Sequence, residues 1–299
     1  MPETVEFLPS SEILSFEEIQ RVVQIFARCG INKLRLTGGE PLVRREVPEL
    51  IRMLKSVAGI DEIAMTTNAV LLARHAVALK AAGLDRLNIS LDTLDRETFL
   101  QLTRRDFLSA AIEGIDAARS AGFENTRLNA VSISGVTEDS VLPLARFARQ
   151  RDLELRFIEF MPLDGDQNWA NQQVLSGKQI REIIETEFGP LVPAERTYAA
   201  QPAMDYRYAD GCQAIGFIDP VSEPFCSSCD RLRLTAEGQL RNCLFSHQEY
   251  DIRALIRAGE SDESLESLMR KCVANKKKAH GIDSDEFRRP EKAMYQIGG

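Results

Sequence analysis

Short runs of Leu, Ile and Val alternate with longer segments of helical period from the N-terminus to about residue 190, and this alternation decides the fold class before any motif is considered. Ser15 and Glu18 have the spacing of a capping box, Ile19, Val22, Val23 and Phe26 make one apolar stripe, and Gly30 supplies a stop, so the first helix is predicted here. Strands are predicted at residues 33–37, 62–67, 86–90, 127–131 and 154–160, with helices near 46–57, 74–82, 96–102, 107–120, 140–150 and 177–188. Such a βα series implies parallel strands joined by right-handed crossovers, hence a doubly wound sheet or a TIM-like barrel, with the chemistry at the carboxyl ends of the strands. The series opens on a helix where a strand is expected. One barrel strand therefore counts as missing, and the free edge it leaves predicts reduced stability.

Beyond residue 188 the pattern changes, and Pro190, Pro193 and Pro202 fall close together. A boundary is placed here, giving an N-terminal domain over 1–190 and a C-terminal region over 191–299. Segments 206–209, 214–218, 231–235 and 239–242 read as short antiparallel strands, the last two joined by the turn Ala236-Glu237-Gly238. Two charged helices are predicted near 251–258 and 262–277. The chain has 299 residues, 44% of them hydrophobic, which is enough for a sizeable core. With 45 acidic against 37 basic side chains its net charge is -8, so coating nucleic acid is not its main business and any basic site must be concentrated. No apolar run approaches the roughly 20 residues of a membrane span, and the start lacks the features of a signal peptide. Neither membrane nor nucleic acid is an expected partner, and the cytosol is the expected compartment.

Six cysteines are too few and too unevenly spread for a disulfide framework. Cys29, Cys212 and Cys272 stand apart, whereas Cys226, Cys229 and Cys243 cluster. The two-residue gap lets both thiolates of one turn face a single ion or cluster, and the following hairpin can return Cys243 beside them. A zinc ion completed by His247 or Cys212 and an iron–sulfur cluster both fit that spacing. Arg231 and Arg233, two apart on a predicted strand, point to one face next to the cysteines. They favour a cluster whose open iron takes a ligand that arginines hold.

The loop Thr37-Gly38-Gly39-Glu40-Pro41 follows a predicted strand, its glycines letting backbone approach a ligand and Glu40 offering a carboxylate to a cation. Thr66-Thr67-Asn68 and Ser90-Leu91-Asp92-Thr93 follow the next two strands, as helix caps or as parts of a site. Lys33 and Arg35 share a strand face, Arg127 opens another strand and Arg156 sits within a third. Inward-facing cations need an anionic partner, so a polyphosphate or carboxylate pocket is expected, with snorkelling at a barrel end as the alternative.

Together, LRLTGGEPL at 34–42, TTN at 66–68, NISLDTLD at 88–95, FIEFMPLDG at 157–165, PFCSSCDRLRLTAEGQLRNCLF at 224–245 and the IGG end resemble the radical S-adenosylmethionine GTP 3',8-cyclases of molybdenum-cofactor biosynthesis, over the whole length. The resemblance implies an α/β fold, an incomplete TIM-like (βα)6 partial barrel with a smaller C-terminal α+β cluster-binding region. It implies a 4Fe-4S cluster on Cys226, Cys229 and Cys243, S-adenosylmethionine contacts from Gly39, Ser90 and Met161, and GTP contacts from Arg35, Thr66, Arg127, Arg231 and Arg233. Gly298-Gly299 would turn the tail towards the substrate, and a homodimer is suggested. The implied reaction is hydrogen abstraction from C3' of the GTP ribose, followed by bonding of that carbon to guanine C8. Arg127 stands where lysine is common, and Ala69 where glycine usually follows TTN. The family's CxxxCxxC, which holds the S-adenosylmethionine cluster, does not occur in the 299 residues, which begin Met1-Pro2-Glu3. No catalytic cluster residue can therefore be named, and the expectation is a chain inactive as it stands or one that binds nucleotide without catalysis.

Overall fold

Helix α1 (Phe16–Arg28) begins as its capping box predicts: Glu18 N donates to Ser15 Oγ at 3.1 Å, and Ser15 N donates to the Glu18 carboxylate at 2.7 Å. The computed structural model describes residues 8–163, 169–196, 198–211, 214–282, 284 and 287–298. After α1 the chain alternates as expected: β1 (Lys33–Leu36), α2 (Val47–Lys55), β2 (Glu62–Thr67), α3 (Leu72–Ala81), β3 (Arg86–Ser90), α4 (Arg96–Thr103), α5 (Leu108–Ser120), β4 (Arg127–Ser132), α6 (Val141–Gln150), β5 (Glu154–Glu159) and α7 (Gly177–Phe188). Then come β6 (Leu191–Pro193), β7 (Met204–Tyr208), β8 (Ala214–Ile218), β9 (Arg233–Leu234), β10 (Gln239–Arg241), β11 (Tyr250–Asp251), α8 (Ile252–Arg257) and α9 (Asp262–Ala274).

The large sheet runs β1-β2-β3-β4-β5-β8-β7-β6, parallel from β1 through β8 and antiparallel thereafter. This is the α/β partial barrel the sequence implies, with β1 at the edge among the described residues. Residues 214–218 pair antiparallel with β7, as expected, and in addition parallel with β5, because the chain leaving α7 runs along β6, reverses in β7 and reverses again in β8 beside β5. The sheet thus continues past residue 190. Between β6 and β7, Tyr198 lies under Lys33 of β1, with the ammonium 5.1 Å from the ring centre, so the two ends of the curled sheet approach each other.

Side chains alternate across the sheet, and the two faces differ in kind. Ile63, Met65, Leu87, Ile89, Leu128, Ala130, Leu155, Phe157, Ile215 and Phe217 pack outwards beneath the helices in one continuous core. The inner face is polar. Register sets Arg35 beside Ala64 and Arg86, Thr66 beside Asn88, Arg127 and Glu154, and Ser90 beside Asn129, Arg156, Gly216 and Asp205. Because the rows climb from strand to strand, Arg127 at the start of β4 is level with Thr66 near the end of β2. An ordinary barrel of this class fills its interior with branched apolar side chains. This one lines it with charge.

A second core joins α1 to the C-terminal region, where Val22, Ile25 and Phe26 meet Leu240, Tyr250, Ile252, Leu265, Met269 and Cys272. Helix α1 therefore has two apolar faces, Val23 going to the barrel and Val22 to the small β11-β10-β9 sheet. Leu14 N donates to the Ala236 carbonyl at 2.8 Å, and Arg21 and Arg28 both reach Asp262, so the cysteine-bearing segment is fixed beside the open side of the barrel. Among the described residues no helix is long and apolar enough to cross a membrane.

Candidate functional site

Cys226–Ser228 form a single helical turn, closed by Cys229 N donating to the Cys226 carbonyl at 3.1 Å. The β9–β10 hairpin then carries the chain back to Cys243, its turn closed by Gly238 N on the Thr235 carbonyl with Gly238 at φ 82°. All three cysteines are half-buried, and Cys226 is within charge range of both Cys229 and Cys243. Burial pushes the Cys226 thiol up, against a hydrogen bond from the His280 backbone. Burial acts on Cys229 in the same sense, but the Arg231 guanidinium outweighs it, donating from Nε to Sγ at 3.2 Å, and holds that thiol below its ordinary value. Arg231 is not on a strand, as the sequence led one to expect. Strand β9 spans only Arg233–Leu234, and Arg231 lies in the connection, its guanidinium 5.1 Å from the Phe225 ring centre.

Among the described residues no three His, Cys, Asp or Glu side chains gather closely enough to hold one metal ion. A cubane cluster takes each thiolate on a different iron, so its ligands stand wider apart than those of a single tetrahedral ion. The donor set fits such a cluster: three half-buried thiols, one of them favoured as thiolate by a guanidinium. Of the zinc alternatives, His247 directs Nε2 to the Arg288 carbonyl at 3.1 Å, and Cys212 lies outside the described residues.

Among the described residues, the guanidinium groups of Arg35, Arg86, Arg127 and Arg156 on the inner face meet those of Arg231 and Arg233 from the C-terminal region. Arg35 is within charge range of Arg86, Arg127, Arg156 and Arg231, and Arg233 of Arg231 and Arg35 as well as Cys229 and Cys243. Three carboxylates answer them. Arg86 pairs with Glu62, Arg127 Nε donates to Glu154 at 2.8 Å, and Arg156 is held between Glu154 and Asp205. Burial would raise Glu154, but Arg156 and Arg127 hold it low. Arg35 and Arg233 have no carboxylate partner among the described residues. Crowding by surrounding protein atoms first, then the neighbouring arginines, pushes both down to about 10, although Arg35 still opens to solvent in the lumen and Arg233 is half-buried. Arg233 Nε is buried without a hydrogen-bond partner, as are Asn88 Nδ2, Asn129 Oδ1 and Asp205 Oδ1. Buried polar atoms normally find partners, so this lumen is shaped for a polar, anionic occupant.

The remaining residues singled out from the sequence sit at strand ends. Gly39 follows β1, Thr66 lies in β2, Ser90 ends β3, and Met161 follows β5, its carbonyl accepting from Leu163 N at 2.7 Å. Glu40 departs from its expected part. Its carboxylate accepts from Leu42 N, Thr67 Oγ1 and Asn68 N, so it ties the first loop to the second instead of standing open to a cation. Ala69 takes φ 62°, the left-handed conformation that glycine adopts more cheaply. Asp92 accepts from Val131 N at 2.8 Å, and its carboxyl is pushed up to about 6 by burial. The tail returns to this end: Met294 N donates to the Leu163 carbonyl at 3.0 Å, and a side chain at Gly298 would lie 3.3 Å from Thr37 Cγ2. Gly299 lies outside the described residues.

Sequence reading did not single out Arg86, Asn88, Asn129, Glu154 or Asp205. Period-two counting along β3 from Ser90 would have found Asn88 and Arg86. The others needed the register.

A partial βα barrel with a charged lumen and a cysteine-bearing C-terminal region defines a class, and family models agree. Residues 2–148 match the Radical SAM superfamily and residues 153–282 match Molybdenum Cofactor Synthesis C. The chain is 49% identical to a GTP 3',8-cyclase of Rhodopirellula baltica, with all of this chain and 84% of that protein aligned. It is 43% identical to one from Pelotomaculum thermopropionicum, with all of this chain and 92% of that protein aligned. A third, from Paenarthrobacter nicotinovorans, is 41% identical, with 99% of this chain and 88% of that protein aligned. The chain belongs to the GTP 3',8-cyclase family.

Proposed function

We propose that the chain binds GTP in the polar lumen, between the arginines of the barrel and a 4Fe-4S cluster held by Cys226, Cys229 and Cys243. The reaction is that of its family, joining ribose C3' to guanine C8. The observation that carries this reading is Arg233, a half-buried arginine whose buried Nε has no hydrogen-bond partner, in charge range of two of the three cysteines and of Arg35. A nucleotide triphosphate supplies the missing negative charge, and a purine reaching the cluster places its ribose towards the strand ends.

The residues divide the work. Arg35, Arg127, Arg231 and Arg233 neutralise the phosphates, and Thr66, level with Arg127, adds a hydroxyl to the same row. Gly39, Ser90 and Met161 form the S-adenosylmethionine side at the carboxyl ends of β1, β3 and β5. The one-electron chemistry would come from S-adenosylmethionine on a second cluster, for which these 299 residues hold no CxxxCxxC, so no step is assigned to it. The protein's share is to hold the ribose in one orientation and to exclude water from it. Labour is thus split about residue 190, with S-adenosylmethionine residues before it and cluster residues after it, although the sheet crosses that point.

Anaerobic iron and sulfide loading followed by calorimetric titration with GTP tests the reading. One cluster per chain on these cysteines, and GTP binding that weakens in Arg35→Met, are expected. Zinc at stoichiometry without sulfide, or no GTP binding by the loaded protein, would overturn it.

A further inference from the structure

The ladder between β9 and β10 ends at the pair Arg233 and Arg241, short of the segments that carry the cysteines. On one side the chain continues back through Arg231 to Cys229, and on the other forward through Asn242 to Cys243. Nothing in the ladder fixes the gap between those two strands of chain. Lys276, just beyond α9, spans it: Nζ donates to the Arg231 carbonyl at 2.8 Å and to the Asn242 carbonyl at 2.7 Å. Both are charge-assisted bonds from one half-buried ammonium. Helix α9 adds a third tie, since the buried Asn242 amide donates to the Cys272 carbonyl at 2.7 Å. The helix end is itself fixed. Asn275 donates to Tyr250 Oη at 2.7 Å, and Leu265, Met269 and Cys272 sit in the core shared with α1.

We propose that Lys276 is a positioning residue for the three-thiolate site, setting the separation of Cys229 from Cys243 by holding the carbonyls of Arg231 and Asn242. The inference rests on the reading that these cysteines carry an iron–sulfur cluster. Lys276 makes no hydrogen bond to either thiol among the described residues; its ammonium also favours the Cys229 thiolate by charge, and the uncharged Lys276→Gln separates that effect from the backbone clamp. Groups that orient metal ligands in this way typically change metal retention by about tenfold to a hundredfold when removed.

Lys276→Met removes both bonds and keeps the stem, whereas Lys276→Gln keeps two N–H donors without the charge. Each is loaded anaerobically beside the wild type, and iron, sulfide, the rate of cluster loss to a chelator and the EPR signal of the reduced cluster are measured. Lys276→Met should lose its cluster about tenfold faster or more and give an altered signal, and Lys276→Gln should restore both. Wild-type retention and signal in Lys276→Met would overturn the proposal alone. A wild-type chain that takes up no iron and sulfide would overturn the underlying reading, and the proposal with it. Should Lys276→Met fail to fold, Lys276→Gln decides: wild-type retention supports the clamp, and rapid loss from a normally melting protein overturns it.

Discussion

Replacing Arg233 by methionine should make the nucleotide-free protein more stable while weakening its hold on GTP. The guanidinium is pushed down from its ordinary value to about 10 by burial and by Arg231 and Arg35. At 1.36 kcal/mol per unit this is a cost of about 3 kcal/mol to the folded state, and about half of that once water entering the lumen is allowed for. Methionine fills similar space without charge, so part of that cost is recovered and urea unfolding of the unloaded chain should move to higher midpoint. Losing a charge-assisted bond to phosphate costs about 1.5–3 kcal/mol, or roughly tenfold to a hundredfold in affinity. Calorimetry of the loaded protein should show that loss with GTP and little of it with guanosine. If Arg233→Met is destabilised and binds GTP as before, Arg233 is a structural cation and the reasoning is refuted.

Further outcomes follow from named contacts. At Gly216 a side chain would lie 2.6 Å from Asp205 Oδ1 and 3.3 Å from Arg156 Cγ, so Gly216→Ala should destabilise by about 1–3 kcal/mol in urea and weaken GTP binding by displacing Arg156. Ala69→Gly relieves the φ 62° backbone and should raise the thermal midpoint by an amount equivalent to about 1 kcal/mol or less, with wild-type GTP affinity. Burial, helped by Glu159, pushes the Asp219 carboxyl from 3.8 up to about 7. The folded state therefore holds that proton more tightly than the unfolded chain. The stability this lends is complete below about pH 4 and is lost as pH rises through about 7, by about 2 kcal/mol once solvent screening of this half-buried carboxyl is allowed for. Asp219→Asn should accordingly stabilise the protein at pH 8 and do little at pH 4, and parallel pH profiles of the urea midpoint would contradict this.

Much of the fold is local enough to be legible in the chain. The Ser15–Glu18 capping box, the five parallel strands β1 to β5 and the hairpin turn at Gly238 are each set by residues within a few positions of one another. The parallel pairing of β8 with β5 was not legible, because it depends on α7, β6 and β7 returning the chain to the sheet across more than fifty residues. The site divides in the same way. Cys226, Cys229 and Cys243 announce themselves by spacing, but the partners that fix the lumen arginines, Glu62, Glu154 and Asp205, come from three strands and emerge only with register. Glu40 was misread for a related reason: Thr67 and Asn68, which occupy its carboxylate, lie on the neighbouring strand end.

An anaerobic GTP titration of the loaded chain, followed by EPR of the reduced C-terminal cluster, tests most directly whether thiolates and guanidinium groups form one nucleotide site. GTP is expected to change the signal of the wild type, and Cys243→Ser to lose both the signal and most of the GTP affinity. Equal GTP affinity in the two proteins, with a signal that GTP leaves unmoved, would contradict it.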